Sequence, residues 1–246
     1  MSQVEAQINN NMIATLTDAL RPRPMTPGFV AVPSAPANAV DLPPWFIDRC
    51  RRAYLSVPFE QPERVIGVTS ATHGEGKTLI SIGIAMALAA DTQEPTMLLE
   101  CELECPSFYQ YFDLPRERGL AEWLDGSASP RIARLPYLPQ LIVIHAGAPR
   151  PDPARLLYQL NGSNVIAELK TQFRNIVLDL PPLLDIAYSS LAAKLAEHLL
   201  LVARYGATHM EDLEKVMFLL GPDRVSGIVL NAAEYRAPEW LRRMAT

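Results

Sequence analysis

The chain has 246 residues, 49% of them apolar and 20% charged, enough to bury the core of one large domain or two small ones. Its net charge of −5 excludes a function that depends on a broad basic surface for nucleic acid. Three cysteines, Cys50, Cys101 and Cys105, are too few for a disulfide framework at this length, so a reducing, cytoplasmic setting is expected. No run approaches the ~20 apolar residues a membrane helix needs, and no basic segment leads into an apolar core at the start, which argues against a secretory signal.

Taken in order, Met1 to Leu20 places apolar residues at Val4, Ile8, Met12, Ile13, Leu16 and Leu20, a weak helix pattern with a narrow stripe. Arg21 to Pro44 holds seven of the 22 prolines and reads as an extended linker. We therefore expect residues 1–44 to form a flexible helix-like segment and linker, and residues 45–246 a nucleotide-binding domain. From Glu63 the texture changes. Arg64 to Thr69, Pro95 to Cys101, Leu141 to His145, Asn175 to Leu178, Leu199 to Ala203 and Val225 to Leu230 are short apolar runs. Between them lie the helical stretches Thr78 to Ala90, Gly119 to Leu124, Ala154 to Phe173, Ser189 to Glu197 and His209 to Leu220. Apolar strands alternating with helices predict an α/β fold in three layers, a mainly parallel sheet flanked by helices.

The first strand runs into Ala71-Thr72-His73-Gly74-Glu75-Gly76-Lys77-Thr78, which follows the Walker A pattern except that alanine stands at its first glycine. Strand, loop and helix fall in the order a phosphate cradle requires. Gly74 and Gly76 let the backbone turn its N–H groups inward, and the following helix adds its positive end. In that role His73, Gly74, Glu75, Gly76, Lys77 and Thr78 surround the phosphates. Lys77 bridges the β- and γ-phosphates, and the Thr78 hydroxyl ligates Mg²⁺. Asn175-Ile-Val-Leu-Asp179 is an apolar strand ending in an acid, the Walker B form, and Asp179 is the expected carboxylate near the metal. Cys101 and Cys105 lack the second pair that structural zinc requires, and the four histidines show no ligating spacing.

Gly74-Glu-Gly-Lys-Thr78, Asp179-Leu-Pro-Pro182 and Gly147-Ala-Pro-Arg-Pro-Asp-Pro-Ala-Arg-Leu-Leu157 together resemble the bacterial tyrosine kinases (BY-kinases), within the wider MinD/ParA class of P-loop ATPases. Gly119-Leu120 through Leu124 and Gly126, and Val229-Leu230-Asn231, extend the likeness from about Arg52 to Asn231. The resemblance implies ATP or ADP bound with Mg²⁺ and a role in making or exporting an extracellular polysaccharide. The implied partner is a membrane-embedded co-polymerase or synthase component, which would hold the chain peripherally at the inner membrane. It leaves a homo-oligomer open, and the net charge of −5 argues for no nucleic-acid partner. By match to the family, Asn231 contacts the adenine, and Glu100 and Glu102 stand where two aspartates of the family stand. Lys77, Glu100, Glu102 and Asp179 are thereby the expected catalytic group, with Thr78, Glu100 and Asp179 around the metal.

The sequence also departs from the family. Glutamates replace both aspartates, Glu104-Cys105 replaces an Arg-Arg pair, and His73 replaces a loop proline. The family's ring contact falls on Asp48, Arg51 and Tyr54, and the final segment from Ala232 carries the single tyrosine Tyr235. Three functions follow as expectations: a tyrosine autokinase, a nucleotide-dependent switch on a membrane partner, or a MinD/ParA placement ATPase. The last is disfavoured because Thr72 and His73 occupy the places of that class's extra lysine and glycine.

Overall fold

The structure, a computed structural model, describes residues 40–57 and 64–233. The Met1 to Leu20 pattern, the linker up to residue 39 and Tyr235 lie outside these residues.

Seven strands form one sheet: β1 (Arg64–Ser70), β2 (Thr96–Glu100), β3 (Ile132–Leu135), β4 (Leu138–Ile144), β5 (Asn175–Asp179), β6 (His198–Arg204) and β7 (Val225–Asn231). Their order is β3-β4-β2-β5-β1-β6-β7. All pairings are parallel except β3 with β4. The α/β reading therefore holds. The central strands β1, β2 and β5 are buried nearly end to end, which is why they appear in the sequence as unbroken apolar runs rather than alternating ones.

Helices cover both faces. On one side lie α1 (Pro44–Leu55), α2 (Lys77–Thr92) and the short α3 (Phe108–Phe112). The other carries α4 (Leu120–Leu124), α5 (Ala154–Gly162), α6 (Val165–Gln172), α7 (Ser189–Ala193) and α8 (Met210–Leu220). Two expected elements differ. The single helix over Ala154 to Phe173 is broken at Gly162-Ser163-Asn164, where short polar side chains and a glycine compete with helical hydrogen bonding. The helix from Ser189 stops at Ala193 instead of Glu197.

Helix α2 is buried from Ile80 to Ala89, sandwiched between the sheet and α1. The residues α1 buries, Phe46, Cys50 and Tyr54, recur every fourth position and form its inward face. Arg51 and Tyr54 both reach Asp91 at the end of α2, at 2.5 and 2.7 Å. Two residues of the expected ring contact thus bind within their own chain. Gly83 lets α1 and α2 approach: a Cβ there would lie 2.5 Å from Cys50 Sγ and 2.9 Å from Phe46. Replacing Gly83 by Ala is expected to cost about 1–3 kcal/mol by forcing the helices apart. Gly162→Ala, where a Cβ meets nothing within 4 Å, is expected to change little. Urea unfolding of both variants checks this, and equal effects would contradict it.

Candidate functional site

Parallel topology places the carboxyl ends of β1, β2 and β5 side by side, with Glu100 and Asp179 as register partners and Asp179 also opposite Val68. The loop leaving β1 curls over these ends. Gly74 and Gly76 both have positive φ, 82° and 91°, a region that side chains other than glycine rarely adopt. A Cβ on Gly76 would also lie 2.2 Å from the Asn231 amide. The expected glycine loop is present, and it ends at the first residue of α2, where the helix N–H groups have no intrahelical partner.

The loop is braced from within and from outside. The buried Glu75 side chain turns back, its Oε2 accepting from the Ala71 and Thr72 N–H groups at 2.8 and 3.2 Å. Thr208 donates to its other oxygen. Arg204 donates to the Gly74 carbonyl at 3.1 Å, and Asn231 Nδ2 to the Glu75 carbonyl at 2.9 Å. Asn231 Oδ1 accepts from Ala232 N–H, so both its polar atoms are engaged within the chain. Beside it lies a cavity of about 380 Å³ lined by Trp45, Phe46, Ile80, Val229 and Ala232. Neither Arg204 nor Thr208 was legible as a site residue, since their contacts join positions 130 or more apart.

Behind the loop the charged groups converge. Lys77 Nζ lies 3.7 Å from Asp179 Oδ1 and 3.9 Å from Glu102 Oε2. Thr78 Oγ1 donates to Asp179 Oδ2 at 2.9 Å. Burial pushes the Asp179 carboxyl up, with Lys77 and Thr78 pulling against it. Glu102 is likewise raised by burial and held back by Lys77. Asp179 Oδ1 and Glu102 Oε2 have no hydrogen-bond partner although both are buried.

Glu100 is different. Its Oε1 accepts from the N–H groups of Ser107 at 2.5 Å and Phe108 at 2.9 Å, and its Oε2 from Ala146 N–H at 2.9 Å. The structure therefore brings Glu102, rather than Glu100, to Lys77 with a free oxygen. Glu100 ties the loop after β2 to the turn after β4. That turn is held further by Glu122, which accepts from Gly119 N–H at 2.8 Å and Ala148 N–H at 3.2 Å. Arg150 adds bonds to Glu122 and Asp125 at 3.1 and 2.8 Å. The Gly147 to Leu157 motif thus buttresses the site. His145, buried in the same turn, accepts from Gly147 N–H at 3.1 Å.

His73, on the loop rim, faces Asp185 beyond the end of β5. Asp185 Oδ2 takes both its backbone N–H, at 2.6 Å, and its ring Nδ1, at 2.8 Å. Asp185 was not recognised from sequence.

The residues fit a magnesium ion. Two buried carboxylate oxygens that accept no hydrogen bond, and a hydroxyl, surround the lysine that would meet phosphate. No three His, Cys, Asp or Glu side chains form a metal cage among the described residues. None is required, because Mg²⁺ is usually held by one or two carboxylates, waters and phosphate oxygens.

No family model matches the chain. It is 30% identical over 155 residues to the tyrosine-protein kinase CpsD of Streptococcus pneumoniae, covering 62% of this chain and 67% of that one. The chain belongs to the BY-kinase family. It is 28% identical over 159 residues to the tyrosine-protein kinase ptk of Acinetobacter johnsonii, 63% of this chain and 22% of that one. It is also 28% identical over 177 residues to the succinoglycan biosynthesis transport protein ExoP of Rhizobium meliloti, 70% of this chain and 22% of that one. The chain spans about a fifth of the length of these two relatives. Among solved structures, the VpsO kinase domain superposes with a TM-score of 0.67 at 26% identity, covering 77% of this chain and 97% of that one. The septum site-determining protein MinD of Pyrococcus horikoshii, complexed with Mg-ADP, shares the fold with a TM-score of 0.55 at 20% identity, covering 75% and 77%. No helix among the described residues is long and apolar enough to cross a membrane.

The Glu100 carboxyl is pushed up to about 7 from its ordinary 4.5, chiefly by burial. The folded state then binds more protons than the unfolded chain between these values. The stability this group contributes is present below about pH 4.5 and lost as pH rises through about 7. Glu100→Gln, which does not titrate, is expected to remove this part of the pH slope, roughly 3 kcal/mol across the window. Urea unfolding between pH 4.5 and 8 measures it. An unchanged slope would contradict the assignment.

Proposed function

We propose that this chain binds ATP with Mg²⁺ in the Gly74 to Thr78 loop and works in exopolysaccharide biosynthesis or export as a BY-kinase-like component, docking on a membrane co-polymerase or synthase. One observation carries the nucleotide reading. A lysine at the end of a glycine loop lies 3.7 and 3.9 Å from two buried carboxylate oxygens that accept no hydrogen bond. Unpaired buried carboxylate atoms are costly, and a divalent cation is the group that would satisfy both. Thr78, Glu102 and Asp179 would hold it, and when bound it would offset negative charge on the transferred phosphoryl group.

The loop amides and Lys77 would take the phosphates, and the cavity beside Asn231 has room for the base. Asn231 contributes there through the face of its side chain, because its amide already holds the loop. The polysaccharide role rests on the family and on the name of the ExoP relative. Residues 45–246 act in this reading as the nucleotide-binding domain, with residues 1–44 preceding it. A nucleotide-dependent switch with little chemistry is a second reading. It is favoured by Glu100, whose two oxygens are both engaged by backbone donors.

Titration calorimetry with ATP and ADP, with and without Mg²⁺, tests the proposal. Wild type is expected to bind both nucleotides more tightly with Mg²⁺, and Lys77→Ala to lose at least tenfold in ATP affinity, the equivalent of about 1.4 kcal/mol. No binding by wild type would refute it. Binding without phosphotyrosine formation would select the switch over the kinase.

A further inference from the structure

The pairing of His73 with Asp185 adds to the bracing that Glu75, Arg204, Thr208 and Asn231 give the phosphate loop. It joins the loop after β1 to the segment after β5, two elements 112 residues apart in sequence. A carboxylate can only accept, so the ring nitrogen facing Asp185, Nδ1, carries the hydrogen. In the neutral ring this leaves the Nε2 lone pair free. The His73 side chain is 50% exposed, whereas that of Glu102 is 4% exposed and sits against Lys77. The imidazole therefore stands at the open rim of the loop, whereas the Glu102 carboxylate is enclosed behind it.

We propose that His73 is the general base for attack on the terminal phosphate, and that Asp185 is its positioning residue. This inference rests on reading the loop as a nucleoside triphosphate site. In the step, the attacking hydroxyl, of tyrosine or of water, gives its proton to His73 Nε2 as its oxygen bonds to the γ-phosphorus. The bond from that phosphorus to the β–γ bridging oxygen breaks, and the nucleoside diphosphate leaves with the electron pair. Asp185 fixes the tautomer and ring orientation, and stabilises the imidazolium that forms. The charged group in contact with the imidazole is Asp185 after β5, while Glu102 after β2, which pairs with Lys77, is near enough to be influenced by His73 through space.

The test uses the full chain with Mg²⁺ and ATP, measuring ATP affinity by calorimetry and γ-phosphate cleavage in a single turnover. Cleavage is counted as free phosphate plus phosphotyrosine. His73→Ala is expected to lower the cleavage rate by roughly a hundredfold or more, the usual share of a positioned base, while affinity changes less than tenfold. Asp185→Asn is expected to do the same, since an amide can hold the wrong tautomer, and Asp185→Glu to restore part of the rate. Added imidazole is expected to rescue a His73→Gly chain, which repair of a merely structural contact would not explain.

An unchanged cleavage rate in His73→Ala would overturn the proposal, as would parallel losses in affinity and rate. A wild-type chain that binds ATP but never cleaves it overturns the general base and leaves nucleotide binding standing. A wild-type chain that binds no ATP overturns the underlying reading itself.

Discussion

Three carboxylates, Glu100, Glu102 and Asp179, are buried where β2 and β5 end, and this accumulation of negative charge is the constraint around which the site is arranged. A buried charge must be paired or hydrogen-bonded, or it is neutralised. The chain answers differently for each. Glu100 receives backbone N–H groups from two loops. Asp179 takes the Thr78 hydroxyl and shares Lys77 with Glu102. One oxygen on each of Asp179 and Glu102, the one nearest Lys77, accepts no hydrogen bond. That imbalance gives the site a chemical direction, because a cation beside a phosphate chain would complete what the protein leaves open.

The same constraint explains the buttressing. Glu100 can receive backbone amides only if the loop after β2 and the turn after β4 come together, and the Glu122 and Arg150 network keeps that turn in place. On the other flank, β6 and β7 deliver Arg204 and Asn231 to the outside of the phosphate loop. The sheet order, with β1 between β5 and β6, places one loop within reach of both sets. Fold and site are therefore one construction: the parallel register sets the carboxylates, and the flanking strands fix the loop that faces them.

Much of this was readable in the sequence because it is local. The apolar runs of β1, β2 and β5, the buried α2 and the glycine loop are each written in consecutive residues. Asp179 is also marked locally, by the strand it terminates. What escaped depends on distant pairs or on weak patterning. The edge strand β3 is four residues long and mostly half-exposed, so it shows no apolar run. Apolar periodicity continues across Gly162-Ser163-Asn164, which hid the break between α5 and α6. That Glu100 and Glu102 would divide their roles could not be read, because the two side chains are identical and the Ala146 amide that engages Glu100 lies 46 residues away. Asp185 looked like an ordinary loop acid until its partner on the phosphate loop was placed.

The central claim is that the unmatched oxygens of Asp179 and Glu102 form part of a divalent cation shell. Manganese, which favours the same oxygen ligands as magnesium, reports on this directly by electron paramagnetic resonance. With ADP present, Mn²⁺ is expected to give an immobilised, protein-bound spectrum in the wild-type chain, weakened strongly in Asp179→Asn and Glu102→Gln. A bound spectrum unchanged by both substitutions, or no bound manganese at all, would contradict the account.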